Sequence, residues 1–188
     1  MKLKAVALCA LIACGSAQAA SEDVTIHQVT AEGIGQSLGT VRIDETQYGL
    51  QFTPDLQGLK PGIRGFHVHA KGSCEPGESD GKVVAAGAAG GHLDPANTGK
   101  HLGPYGEGHL GDLPAIYVDD AGKATYPVLA PRLKSLQEIK GKALMVHAGG
   151  DNHADHPQPL GGGGRATPAA SSDISGRPAS AARFSPAV

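Results

Sequence analysis

The sequence predicts an all-β domain, a sandwich or small barrel, on three observations. The chain has 188 residues, the size of one ordinary domain. It contains 28 glycines and 13 prolines with only 4% aromatic residues, a balance that disfavours long helices and favours turn-rich β structure. Short apolar and β-branched runs recur between polar or glycine-rich turns, as in successive antiparallel strands.

The predicted elements follow in chain order. Strands are expected at 24–29, 38–43, 48–52, 65–70, 115–118, 124–128 and 143–148. Residues 119–122 predict a hairpin turn, and residues 133–140 predict one short helical turn. The stretch 71–112 has no sustained periodicity, and a loop of this length inside a compact domain is usually functional.

Residues 1–19 are interpreted as an export signal. Lys2 and Lys4 precede an apolar run, 5–13, that is too short to span a bilayer. The small-x-small pattern at 17–19 predicts cleavage before residue 20, which favours a periplasmic protein. The alternative is a lipobox-like segment, 11–14, in which Cys14 would be lipidated and would hold the protein at a membrane.

The rest of the chain divides into a folded domain, 20–164, and a tail, 165–188. The tail follows a run of four glycines and is rich in alanine, serine and proline, so we expect it to be disordered. The formal net charge of −2 provides no positive field for nucleic acid, which is therefore excluded as a partner.

Histidines supply the strongest chemical signal. Alternate residues of a strand project from one face, so His67 and His69 are expected to converge on one point. In isolation such a pair is more often an incidental polar surface than a ligand pair. Here, however, further candidate ligands follow in the long loop and on a later strand, enough for two metal sites: His92, His101, His109, Asp112 and His147.

These motifs resemble the bacterial, secreted branch of the copper-zinc superoxide dismutases. The resemblance runs from about residue 24 to residue 164 and is carried by Gly65-Phe66-His67-Val68-His69 together with 90–95, 98–101, 103–106, 108–114 and 147–152. It implies an eight-stranded Greek-key β-barrel, immunoglobulin-like in its sandwich architecture, with long metal-binding loops over one face.

The resemblance also implies the metal ligands. Copper is assigned to His67, His69, His92 and His147, and zinc to His92, His101, His109 and Asp112. His92 would bridge the two metals and is the expected catalytic residue. Four imidazoles suit Cu(II), and three imidazoles with one carboxylate suit a structural Zn(II).

Expectations also follow for one aspartate near the site and for three histidines outside it. By resemblance, Asp151 hydrogen-bonds a copper ligand and a zinc ligand together, the alternative being an ordinary solvated aspartate. The remaining histidines, His27, His153 and His156, have no place in this scheme and are expected to be exposed.

The implied activity is the disproportionation of superoxide to dioxygen and hydrogen peroxide. The alternative is an exported copper- and zinc-binding protein with weak or no dismutase activity. Monomer and homodimer both stay open.

The chain departs from the family after Gly164. Where the family continues with Ala-Cys-Gly-Val-Ile, this chain has Pro-Ala-Ala-Ser-Ser at 168–172, which a one-base shift of reading frame would produce. The tail is therefore either frameshifted or a natural extension. If it is natural, the disulfide partner of the family cysteine Cys74 is missing, and Arg165 lies one position too early for the active-site arginine. The closing strand is then lost, because Pro168 makes the segment a poor replacement.

Overall fold

A computed structural model describes residues 20–79, 81–157 and 171–173 of the chain. These residues form almost no helix, which confirms the all-β prediction. None of their helices is long and apolar enough to cross a membrane. The strands are β1 (Ser21–Thr30), β2 (Gly33–Thr46), β3 (Gly49–Leu56), β4 (Gly62–Arg64), β5 (Phe66–His69), β6 (Gly77–Ser79), β7 (Lys82–Val84), β8 (Ile116–Val118), β9 (Val128–Ala130), β10 (Ala143–Val146) and β11 (Ser171–Asp173). A 3₁₀ turn occupies Gly87–Ala89, and one short helix, α1, occupies Leu136–Ile139.

The main sheet has seven antiparallel strands in the order β5-β10-β11-β1-β2-β3-β9. Two small antiparallel sheets, β4-β8 and β6-β7, accompany it. Side chains in β1 alternate as its sequence predicts, with Val24 and Ile26 buried and Thr25 exposed between them. One face of the sheet therefore covers the apolar core.

The sheet curls around this core. Phe52 of β3 and Phe66 of β5 stand near opposite ends of the strand order, yet their ring centroids lie 5.6 Å apart in an edge-to-face contact. Both side chains are fully buried. Such a contact between distant strands requires the sheet to bend back on itself, which brings β3 and β5 together across the core.

Two local predictions have different outcomes. Helix α1 begins after Ser135, whose side chain and that of Glu138 form a capping box, so the predicted helical turn is present. Asp119 and Gly122 also form the predicted turn, in which the amide of Gly122 donates to the Asp119 carbonyl at 2.9 Å. This turn does not close a hairpin, because β8 pairs with β4 and β9 pairs with β3.

The expected loss of the final strand is corrected by β11. This strand lies between β1 and β10, where Ser171 pairs with both His27 and Met145. Backbone pairing does not depend on particular side chains, and Pro168 precedes the paired residues rather than interrupting them. Apart from these three residues, the predicted export signal, Arg165 and the predicted tail lie outside the described residues.

Cys74 lies in a small second apolar cluster beside β10. It is buried with Val29, Ala85, Ala89 and Met145 around it. Residues 73–77 around Cys74 are polar or turn-forming, yet the side chain packs inward as a small hydrophobic group does.

Candidate metal centre

The long loop after β5 is fixed to that strand by backbone hydrogen bonds. The amide of Val68 donates to the Gly111 carbonyl at 2.9 Å, and the amide of Leu93 donates to the Val68 carbonyl at 2.8 Å. Gly111 is required at this contact, because a Cβ there would lie 2.1 Å from the Val68 carbonyl oxygen. The loop histidines are thereby held next to those of β5.

Four histidines form the first cluster, which we call the imidazole cluster. Each offers one nitrogen within 4.8 Å of the others: His67, His69, His92 and His147. The Nε2 atoms of His69 and His147 are 3.4 Å apart, and the ring centroids of His67 and His92 are 4.0 Å apart. As the strand alternation predicts, His67 and His69 of β5 project toward the same point.

Hydrogen bonds orient two of these rings. Nε2 of His67 donates to Asp151 Oδ2 at 2.7 Å, and Nδ1 of His69 donates to the Gly90 carbonyl at 2.8 Å. The other nitrogen of each ring is left for the cluster. Among the described residues, the buried Nδ1 atoms of His67 and His147 have no hydrogen-bond partner.

Burial sets the protonation of the imidazole cluster. Burial, followed by the proximity of His92, lowers the pKa of His67 to about 3 and the pKa of His69 to about 4. Burial and the neighbouring histidines also hold the pKa of His147 well below its ordinary value. All three rings are therefore neutral at pH 7, the form that binds a metal ion.

The second cluster surrounds the fully buried carboxylate of Asp112, and we call it the aspartate cluster. Oδ1 lies 2.8 Å from His92 Nδ1 and 3.3 Å from His109 Nδ1. Oδ2 lies 2.9 Å from His101 Nδ1, which has no aligned hydrogen-bond partner among the described residues. His101 Nδ1 and Asp112 Oδ2 are thus close together without an aligned hydrogen bond, as two ligand atoms of one metal ion would be.

Charge in the aspartate cluster is balanced by its histidines. Burial alone would raise the pKa of Asp112, but its close contacts with His101 and His92 hold that pKa well below its ordinary value. Burial opposes protonation of His101, yet its contacts with Asp112 and Asp151 raise its pKa to about 9. Without a metal ion, His101 therefore carries the compensating positive charge at pH 7.

Asp151 connects the two clusters. Its side chain is fully buried, so it is not a solvated aspartate. Oδ2 accepts from His67 at 2.7 Å, and Oδ1 accepts from His101 Nε2 at 2.8 Å. Burial would raise its pKa, but these histidines and the amide of His153 keep the carboxylate ionised.

Three residues that contact the site were missed at the sequence level: Arg132, Asp155 and His153. The guanidinium of Arg132 donates to the carbonyls of Gly108 and His109, and Asp155 Oδ1 accepts from the amide of His101 at 2.9 Å. His153 was expected to be exposed, but its Nδ1 is buried 3.7 Å from Asp151 Oδ2. No sequence spacing indicates the Arg132 or Asp155 contact, because each joins residues more than twenty positions apart in the chain.

The residues present fit two adjacent metal ions. The imidazole cluster is all nitrogen, which suits copper, and the aspartate cluster combines imidazoles with one carboxylate, which suits zinc. Buried ring nitrogens without a described partner indicate that an ion completes their contacts. A β fold that joins these two clusters through His92 and Asp151 defines a protein with a binuclear metal centre.

Comparisons with known proteins identify the class further. Residues 37–170 match the family model "Copper/zinc superoxide dismutase (SODC)". The chain is 64% identical to Cu-Zn superoxide dismutase 2 of Salmonella typhimurium over 164 residues, 87% of this chain and 95% of that protein. It is 63% identical to the Escherichia coli K12 Cu-Zn superoxide dismutase over the same shares of the two chains.

Solved structures agree. The Brucella abortus Cu/Zn superoxide dismutase superposes with a TM-score of 0.79 at 51% identity, covering 82% of this chain and 99% of that one. The monomeric enzyme of Salmonella enterica gives a TM-score of 0.73 at 63% identity, with the same coverage. The chain belongs to the copper/zinc superoxide dismutase family.

Proposed function

We propose that this chain catalyses the disproportionation of two superoxide ions and two protons to dioxygen and hydrogen peroxide. The observation that carries the proposal is the position of His92. Its Nδ1 lies 2.8 Å from Asp112 in the aspartate cluster, while its ring stacks on His67 in the imidazole cluster. One imidazole thus contacts both candidate metal sites.

The ring orientations support an assignment of ligand atoms. His67 would bind copper through Nδ1 and His69 through Nε2, since the other nitrogen of each ring is hydrogen-bonded. His147 and the Nε2 of His92 would complete the copper set. Zinc would take Asp112 and the Nδ1 atoms that surround it, those of His92, His101 and His109.

When bound, copper supplies the one-electron redox couple and zinc supplies a fixed positive charge. His92 Nε2 would take up a proton in one half of the cycle and release it to the peroxide product in the other. Water provides the second proton. Asp112, whose Oδ1 lies 2.8 Å from His92 Nδ1, would keep that side of the ring in position while Nε2 changes its protonation.

Asp151 holds the two halves of the centre in register. A single carboxylate that accepts from one histidine of each cluster fixes both tautomers and both ring angles. Because its side chain and that of His67 are fully buried, water does not compete for these hydrogen bonds.

The fold and location extend this proposal. The curled seven-stranded sheet and the β4-β8 pair support an eight-stranded Greek-key barrel, with the metal-binding loop over one face. Cleavage of residues 1–19 would release the protein into the periplasm.

The test is superoxide consumption by purified protein loaded with both metals and checked for occupancy. We expect a rate far above that of the same concentration of free aqueous copper. His147→Ala should lose most of it, whereas His156→Ala, an exposed histidine outside the clusters, should not. A loaded wild-type protein no faster than free copper would establish the alternative of a metal-binding protein, which the 64% identity to a dismutase does not favour.

A further inference from the structure

His153 is held in an unfavourable backbone conformation. Its φ is 54°, in the left-handed region that non-glycine residues rarely adopt. Its side chain packs on Gly103, where a Cβ would lie 2.7 Å from the Cβ of His153. A strained residue persists only where its surroundings fix it, and such positions are often functional.

The imidazole of His153 faces the buried Asp151. Its Nδ1 is buried, has no hydrogen-bond partner among the described residues, and lies 3.7 Å from Asp151 Oδ2. The side chain is nevertheless 37% exposed, whereas that of Asp112 is fully buried. The ring thus extends from solvent to the hydrogen-bonded interior of the metal centre.

His153 belongs to a third group of donor atoms. His101, Asp151 and His153 each offer one ligand atom, and these atoms lie within 4.8 Å of one another. Two imidazoles and one carboxylate form a set that binds Zn²⁺ with an open fourth position. The mechanism proposed above uses His101 and Asp151 but gives His153 no role.

His101 faces two groups with its two ring nitrogens. Its Nε2 lies 2.8 Å from Asp151 Oδ1, and its Nδ1 lies 2.9 Å from Asp112 Oδ2. A metal ion bound at His101 Nε2 would therefore be separated from the aspartate cluster only by the His101 ring.

We propose that His153, Asp151 and His101 form a transient zinc-loading site that captures Zn²⁺ from solvent and passes it to the aspartate cluster. On capture, the Nε2 proton of His101 goes to water and zinc takes its place beside Asp151 and His153. On transfer, zinc leaves these ligands for Nδ1 of His101 and Asp112, while Nδ1 gives up its proton to water and Nε2 regains a proton from water. Ligands exchange one at a time, and no oxidant or reductant takes part.

This inference rests on the proposed zinc site, but its test measures the rate of zinc uptake rather than the final zinc occupancy. Metal-free full-length protein is mixed with Zn²⁺ in the presence of a chromophoric chelator that reports free zinc. The variant is His153→Asn, because asparagine tolerates the left-handed conformation while removing the ring. His156→Asn and His27→Asn are matched controls outside every donor group of the described residues.

We expect His153→Asn to take up zinc about tenfold more slowly, with equilibrium affinity and final stoichiometry like those of wild type. The controls should match wild type in rate. Wild-type uptake should also saturate with zinc concentration, because capture precedes transfer.

Three results would overturn the proposal. One is wild-type uptake that stays linear in zinc over the range that the chelator buffers. A second is a rate in His153→Asn equal to that of the controls. The third is an equilibrium affinity reduced as much as the rate, which would make His153 part of the final site. Loss of zinc binding by wild type itself would instead refute the proposed zinc site.

Discussion

The side chain of Arg132 holds the backbone of His109: its Nη1 donates to the His109 carbonyl oxygen at 3.0 Å. Nη2 of the same guanidinium donates to the Gly108 carbonyl at 2.9 Å. The fork thus holds two consecutive peptides of the loop that presents His109 to Asp112. Because these hydrogen bonds go to backbone carbonyls and not to the His109 ring, Arg132 acts as a positioning residue.

Arg132→Lys should weaken zinc binding about tenfold and copper binding less. The ammonium of lysine lacks the planar fork that engages two adjacent carbonyls at once. Competition titrations against chelators of known zinc and copper affinity measure both effects. Arg42→Lys, at an exposed arginine paired with Asp44, is the matched control. Equal loss of both metals would indicate a general defect of folding rather than a role at His109.

Asp151→Asn should weaken both metal sites. The amide keeps one acceptor oxygen but turns a donor toward the second histidine, so either His67 or His101 loses its hydrogen bond. We expect a loss of about tenfold or more in affinity at one or both sites. Asp155→Asn is the control, since its side-chain oxygen can still accept from the His101 amide. Unchanged metal affinities in Asp151→Asn would contradict the coupling of the two clusters.

These contacts show what could and could not be predicted from the sequence. Apolar and β-branched runs between turns were sufficient to locate β1, β2 and β3, although all three strands extend beyond the predicted bounds. The His67 and His69 pair followed from the alternation of side chains along a strand. By contrast, Arg132 and Asp155 reach the loop across more than twenty residues of chain, and no local pattern encodes such a contact.

Short strands were missed for a related reason. β4, β6, β7 and β11 have three residues each, too few for a periodic pattern. Their pairing depends on where the longer strands leave unpaired backbone groups. The burial of Cys74 was likewise missed, because its neighbours in the second apolar cluster come from β1, the loop and β10.

Removal of zinc should destabilise the protein strongly. A ligand that binds only the folded state stabilises it by about 4 kcal/mol at a thousand times Kd, which lowers the melting temperature on the order of 10 °C when lost. We expect a chelator to produce this decrease in wild type and Asp112→Ala to produce it without chelator. Differential scanning calorimetry measures both. Asp23→Ala, at a side chain that is 64% exposed, should melt like wild type; an Asp112→Ala protein that melts with it would refute zinc as a main stabiliser.

The metal-free protein should lose stability as the pH falls from 7 to 5. The pKa of His67 is lowered to about 3 and that of His69 to about 4 in the fold, and that of His147 is also lowered, so all three bind protons preferentially when unfolded. Each should cost about 1 kcal/mol per pH unit below its unfolded pKa of about 6.5. Asp112 and Asp151 have lowered pKa values, so their contribution is lost only at still lower pH.

The effect of His101 has the opposite sign. Its pKa is raised to about 9, so its contribution is complete below the unfolded value and is lost as the pH rises through 9. Urea unfolding at several pH values should therefore show greatest stability at about pH 7, with a decline toward pH 9 as well as toward pH 5. A flat profile from pH 7 to pH 5 would mean that the imidazole cluster is not buried in the metal-free protein.

The strand β11 can be tested by two truncations that differ by three residues. A chain ending at Asp173 retains the pairing of Ser171 with His27 and Met145, whereas a chain ending at residue 170 leaves the facing edges of β1 and β10 unpaired. We expect the shorter chain to be less stable by about 2–4 kcal/mol, since several backbone hydrogen bonds are lost together. Copper affinity should fall with it, because β10 ends at Val146 and delivers His147 to the imidazole cluster. Chemical denaturation and copper competition on both chains provide the measurement. Two chains of equal stability and copper affinity would show that the tail contributes no strand to the fold.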